Sequence, residues 1–132
     1  MSTYTLPGDQ AWDKLRHASL GRIVTTAPDG TIEVFPVTYA IYAGEILIRT
    51  RLGTKFRNLA RHPDTVFEVD GCDDDTHTAW SVVVHADARL EPTAAVRRHA
   101  DAAHPGPVVD IEAAELVVLA PYRLSARRYH LR

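Results

Sequence analysis

Eight residues, Ile48 to Lys55, hold three cations (Arg49, Arg51, Lys55), two hydroxyls (Thr50, Thr54) and a glycine (Gly53) directly after a hydrophobic run. A chain of formal net charge −2 has no general reason to gather cations there. One chemistry that suits them is anion binding. The hydroxyls can donate hydrogen bonds, the cations can neutralise a dianion, and each charge-assisted bond contributes roughly 1.5–3 kcal/mol. The other reading is a capped surface helix with solvated cations, which is common at such junctions. The residue types alone leave both open.

Other constellations point to less. The seven histidines (17, 62, 77, 85, 99, 104 and 130) show no HExxH and no close pairing with a carboxylate, so no metal site is expected. Asp73-Asp74-Asp75 lacks the later glutamate of a calcium loop and reads as a solvated turn. Cys72 lies beside those aspartates, which disfavour a thiolate, so it is not read as a nucleophile. Ser81 lies in a strand without a strained elbow, so a hydrolase triad is not supported. No catalytic acid–base set is identified.

The elements that would position the cationic junction are mostly strands. Asp9 can cap a short helix with Trp12 and Leu15 on one face, ended by Gly21. Arg22 to Thr26 and Thr31 to Ile41 read as strands joined by the turn Pro28-Asp29-Gly30. Ala43-Gly44 is a second turn, and Glu45 to Thr50 a third strand. Gly53 breaks the chain, and Thr54 can cap a helix to about Arg61, with Phe56, Leu59 and Ala60 on one face and Pro63 beyond. Val66 to Val69 is a fourth strand, Gly71 to Asp75 a polar loop, and Thr78 to Leu90 a long fifth strand. Pro92-Thr93 opens a second helix to about Ala103, and His104 to Pro107 is a loop. Glu115 to Leu119 and Tyr122 to Tyr129 form the last strand, with a break expected at Pro121.

The junction is therefore strand to helix. A helix N-terminus offers unspent backbone N–H groups and the positive end of its dipole, which favours the anion reading. Short consecutive strands with tight turns predict a mainly β fold, a six-to-seven-stranded antiparallel barrel with short helices. The 132 residues suit one domain, 1–132. Ser81 to Val84 and Leu116 to Leu119 are apolar on both faces, which predicts cover from a second copy in a homodimer.

Composition excludes some classes. The near-neutral charge predicts no nucleic-acid affinity, and the apolar runs are too short to span a bilayer. The single cysteine rules out an intrachain disulfide, and no apolar core follows a basic start at Met1, so a cytoplasmic location is expected.

In order and spacing, "LGRIVTTAPDG", Phe35-Pro36-Val37, Ile48-Arg49-Thr50, "GTKFRNL", Val66 to Asp70 and "AWSVVV" resemble the FMN-binding split barrel of the pyridoxamine 5′-phosphate oxidase-like superfamily, small actinobacterial-type flavin-binding members above all. The resemblance covers about Leu20 to Arg89 and, more weakly, the last strand. It implies that Arg49, Thr50, Thr54 and Lys55 hold the flavin phosphate. It implies that Phe35, Pro36, Val37 and Thr38 border the isoalloxazine ring, and that Trp80 and Ser81 approach it from the partner subunit of a homodimer. The implied cofactor is FMN, with deazaflavin F420 as the alternative. The implied activity is an oxidoreductase that passes electrons from a small-molecule donor to a small acceptor. A flavin- or haem-binding module without turnover is the competing reading. Pyridoxamine phosphate is disfavoured, because Pro36 and Val37 stand where that substrate needs cations and the basic tail Tyr122 to His130 does not match its motif. Around Phe35 to Thr38 the second strand offers the ring no cation or carboxylate, so flat, weakly charged acceptors such as quinones or nitroaromatics are expected.

Overall fold

The computed structural model describes residues 2–51, 53–90 and 114–131. Its elements are β1 (Ser2–Thr5), α1 (Gly8–His17), β2 (Leu20–Thr26), β3 (Ile32–Thr38), β4 (Ala40–Tyr42), β5 (Glu45–Arg51), α2 (Thr54–Arg61), β6 (Asp64–Asp73), β7 (Thr78–Leu90) and β8 (Ala114–His130). All strand pairings are antiparallel, in the order β3-β2-β6-β7-β8-β5-β4, with β1 added to β8. The mainly β, split-barrel expectation holds. The expected helix from Pro92 to Ala103, the loop His104 to Pro107, and the side chains of Arg51 and Phe56 lie outside the described residues.

The expected strand Thr31 to Ile41 is two strands. β3 pairs with β2 and β4 with β5, which stand at opposite ends of the sheet path. One straight strand cannot serve both, so the chain switches at Tyr39, whose backbone N–H donates to Ser19 O at 3.2 Å. This switch curls the sheet. The last strand is continuous through Pro121: His85 faces Arg123 and Ala86 faces Pro121, leaving Tyr122 as the extra residue of a β-bulge. β1 gave no alternating signal because it is polar throughout. β6 runs on through Gly71 to Asp73, so the loop begins only at Asp74, where Asp73 Oδ1 accepts from the Asp75 N–H at 2.9 Å.

Both expected caps move by one or two residues. Pro7 occupies the cap position of α1 and Gly53 that of α2, without a side-chain cap bond at either. Asp9 and Thr54 therefore lie inside their first turns. α1 stops at His17, before Gly21, and Gly53 is in extended backbone that needs no glycine. The two turns do need theirs: Gly30 has φ +88° and Gly44 φ +75°.

The barrel core joins Ile23, Phe67, Val69, Val82, Val84, Val117 and Leu119 with Leu15 of α1 and Leu59 of α2. Ala60 is exposed, because the short α2 buries a single stripe, and Asn58 fills that stripe by donating to Thr25 Oγ1 at 3.0 Å. Leu116 and Val118 face the other way, into a second cluster with Ala40 and Leu47. Cover for Leu116 to Leu119 thus comes from within the chain, so these residues do not by themselves require a partner. Leu20, Ile32 and Val34 on the β2–β3 hairpin are exposed instead, at 53%, 69% and 58% of their full exposure.

Tyr39 ties α1 to the core. Its ring packs edge-on against Phe67, centroids 4.9 Å apart, and its hydroxyl donates to Leu15 O at 2.6 Å. Burial pushes the phenol from 10.0 up to about 12. A folded pKa above the unfolded one adds stability that is present below pH 10 and lost as pH rises from 10 to 12, by roughly 2–3 kcal/mol. Tyr39→Phe is expected to cost about 1 kcal/mol at pH 8 for the lost hydrogen bond. Its urea midpoint should then meet the parent's at about pH 10.7 and exceed it above that, and a gap that stays constant with pH would refute the assignment.

Candidate functional site

Strand β5 delivers the cationic junction. Ile46 and Ile48 face the barrel core, so Thr50 does too and is buried, while Arg49 lies on the opposite face with Leu47. Adjacent residues of one strand cannot both aim at one phosphate through their side chains. The buried Nε of Arg49 has no hydrogen-bond partner, though the residue makes other contacts.

α2 brings the decisive residue. Thr54 is exposed in the first turn, and Lys55 is half-buried beside β3, its Nζ 5.7 Å from the centroid of the Phe35 ring. Burial alone lowers the Lys55 pKa, and among the described residues no carboxylate pairs with it. With no cap side chain at Gly53, the first backbone N–H groups of α2 are not used by one. A desolvated ammonium, a helix N-terminus and an aromatic face thus meet at one point. A ligand carrying a phosphate on a flat ring system fits these groups, with Lys55 and the α2 amides on the phosphate and Phe35 near the ring.

The other expected ring neighbours divide by strand alternation. Val37 is buried in the core with the inward-facing Phe35, whereas Pro36 and Thr38 face outward. Trp80 packs against the core with Lys14 of α1 above its ring, at 5.2 Å, and Ser81 points to the outer face, 3.3 Å from the Tyr129 hydroxyl. α2 meets β7 near Ala88, whose N–H donates to Pro63 O. Eight residues of strand separate Ala88 from Trp80, about 26 Å. Lys55, next to Thr54 in the first turn of α2, stands by Phe35, whereas Ser81 points to the face of the sheet opposite Phe35.

Three residues that the sequence did not single out stand on the outer face beside Pro36. Arg22 lies opposite Pro36 on one side and Glu68 on the other. Its Nε and Nη2 donate to Glu68 Oε1 at 2.9 and 2.5 Å, and Nη2 lies 2.9 Å from Asp70 Oδ1. Burial and the Asp70 carboxyl push Glu68 up, against the pull of Arg22. The weakly charged wall expected from β3 alone is thus bordered by a charged group on its neighbouring strands. Among the described residues, no group of His, Cys, Asp and Glu is placed to hold a metal, and no helix is long and apolar enough to cross a membrane.

Comparison with known proteins identifies the family of this fold. The family model described as pyridoxamine 5′-phosphate oxidase matches residues 7–130. A Corynebacterium glutamicum protein assigned provisionally to that oxidase is 30% identical, with TM-score 0.85, over 98% of this chain and 100% of its own. The FAD-binding protein of Mycobacterium smegmatis is 28% identical, with TM-score 0.77, over 99% and 100%. A haem-binding protein of the same organism shares the fold at 20% identity and TM-score 0.74, over 92% of this chain and 54% of its own. No curated protein matches the sequence. With a family model spanning nearly all of it and strands paired as a curled antiparallel sheet, the chain belongs to the pyridoxamine 5′-phosphate oxidase-like split-barrel family.

Proposed function

We propose that the protein binds FMN between α2 and β3 as a homodimer and works as an oxidoreductase. The observation that carries this reading is Lys55: a half-buried ammonium without a carboxylate partner among the described residues, over the Phe35 ring at a helix N-terminus. A phosphate monoester supplies the missing anion, and FMN joins one to a flat aromatic system. The FAD-binding relative supports a flavin rather than an unrelated phosphate. When bound, a flavin would supply two-electron chemistry between a reduced nicotinamide and a small acceptor. The chain's part is to hold the phosphate through Lys55 and the α2 amides and to fix the ring beside Phe35. No acid–base dyad is needed for that, which matches the absence of one in the sequence.

The dimer rests on two observations. Leu20, Ile32 and Val34 expose apolar area on one face, and Ser81 points to the outer face of the sheet while Phe35 beside Lys55 faces inward. The purified protein is expected to be yellow, to bleach anaerobically with NADH or NADPH, and to scatter light as twice 14.6 kDa. Bound flavin that neither nicotinamide bleaches would make it a carrier. Reduction by F420 alone would replace the cofactor assignment, and a monomer at micromolar concentration would remove Trp80 and Ser81 from the site.

A further inference from the structure

The short helix α2 buries a polar side chain, Asn58, at 2% exposure. Its Nδ2 donates to Thr25 Oγ1 of β2 at 3.0 Å, and Thr25 is itself 1% exposed. A leucine would fill the same stripe without the desolvation cost of an amide. The amide therefore supplies something that apolar packing does not. The contact of Leu59 with the core is non-directional, so it resists lifting of the helix more than sliding. A hydrogen bond holds a distance and an angle, and fixing register is the best-attested use of a single buried polar group.

Register matters here because of what else α2 carries. Lys55 precedes Asn58 by three residues, so the two share a helix face about 4.5 Å apart along the axis. On β2, Ile23 precedes Thr25 by two residues and stands opposite Phe35. The Asn58–Thr25 bond thus ties α2 to the strand that is paired with the Phe35 strand, and Lys55 Nζ lies 5.7 Å from the Phe35 ring centroid. β2 is held in turn, because Val24 O accepts from the buried Thr65 hydroxyl of β6. No side chain caps α2 at Gly53, and just past its C-terminal end Pro63 O accepts from the Ala88 N–H at 2.8 Å. Between those ends, Asn58 supplies a directional side-chain contact from helix to sheet.

We propose that Asn58 is a positioning residue: through Thr25 it fixes where α2 sits on β2, and so places Lys55 over Phe35 to receive a phosphate. The placement of Lys55 stands on these contacts alone. Its effect on ligand choice rests on the flavin reading above, in which Lys55 meets the phosphate.

The test uses the full-length protein. Thr25→Val combined with Asn58→Leu replaces the bonded pair by an apolar one and leaves no buried amide unsatisfied. Without ligand, the parent's Lys55 side-chain NMR signals are expected to show the ring-current shift of Phe35 and an ammonium that titrates below 10.5. In the double variant the ring-current shift should collapse and the titration should return toward 10.5, while the melting temperature stays near the parent's. FMN affinity should fall about tenfold, with riboflavin changed by less than about twofold. Thr25→Ser keeps the hydroxyl and should retain the parent's signals and its FMN preference. Thr25→Val alone is the second variant should the double variant fail to fold. Lys55 signals that stay in place in a folded variant without the bond, or that are lost in Thr25→Ser, would overturn the proposal. A parent that binds FMN no better than riboflavin sinks the phosphate reading alone, and the unliganded Lys55 signals then decide the role of Asn58.

Discussion

Lys55→Ala is expected to weaken FMN binding by roughly ten- to a hundredfold while changing riboflavin affinity by less than about twofold, since one charge-assisted contact is worth about 1.5–3 kcal/mol and only FMN carries the phosphate. The physical reason lies in the unliganded protein. Burial lowers the Lys55 pKa with no nearby carboxylate among its causes, so the folded chain holds an ammonium whose solvation is incomplete. A bound dianion restores what burial removed. The same imbalance gives the variant a second signature. Removing a desolvated cation costs the fold nothing, so Lys55→Met should melt at or above the parent's temperature in the absence of flavin. Lys55→Arg keeps the charge but lengthens and flattens the donor, and should retain part of the FMN preference. Arg49→Ala is the comparison. Strand alternation places Arg49 on the face away from Thr50, so its loss should discriminate FMN from riboflavin less than loss of Lys55 does. Equal losses of FMN and riboflavin affinity in Lys55→Ala would place the phosphate elsewhere.

Gly21→Ala is expected to destabilise the fold by about 3 kcal/mol, at the upper end of the usual cost of overpacking. A Cβ at this position would stand 2.5–2.9 Å from three ring atoms of Phe67. Phe67 cannot yield. It is fully buried, it lies opposite Ile23 in the β2–β6 ladder, and the Tyr39 ring packs edge-on against it. Moving the ring therefore disturbs the residue at which the chain switches from β3 to β4 and its bond to α1. A melting-temperature drop of about 10 °C corresponds to that free energy in a domain of this size. The mechanism is tested by a double-mutant cycle. In a Phe67→Leu background the clash is relieved, so Gly21→Ala should cost about 1 kcal/mol or less, a coupling of about 2 kcal/mol. Additive losses would mean that Gly21 acts through backbone conformation and not through the ring.

The family and the strand content were legible because they depend on local rules. Gly30 and Gly44 adopt the positive φ that their turns require, and the β-branched runs expected as strands fall within β2, β5, β6 and β7. The junction that ends β5 and opens α2 was legible for the same reason, as a cation-rich stretch across one chain break. What no local rule could report was partnership. The switch at Tyr39 follows from β2 and β5 standing at opposite ends of the sheet path, and the unbroken passage of β8 through Pro121 follows from a bulge that its partner β7 absorbs. The split of Arg49 from Thr50 needed the burial of each face. Arg22 and Glu68, 46 residues apart, meet only because β2 pairs with β6, and Asp70 joins them by alternation along β6. Charge is written along the chain, but its grouping across neighbouring strands is a property of strand register. Register is set by which hydrophobic faces the folded barrel buries together.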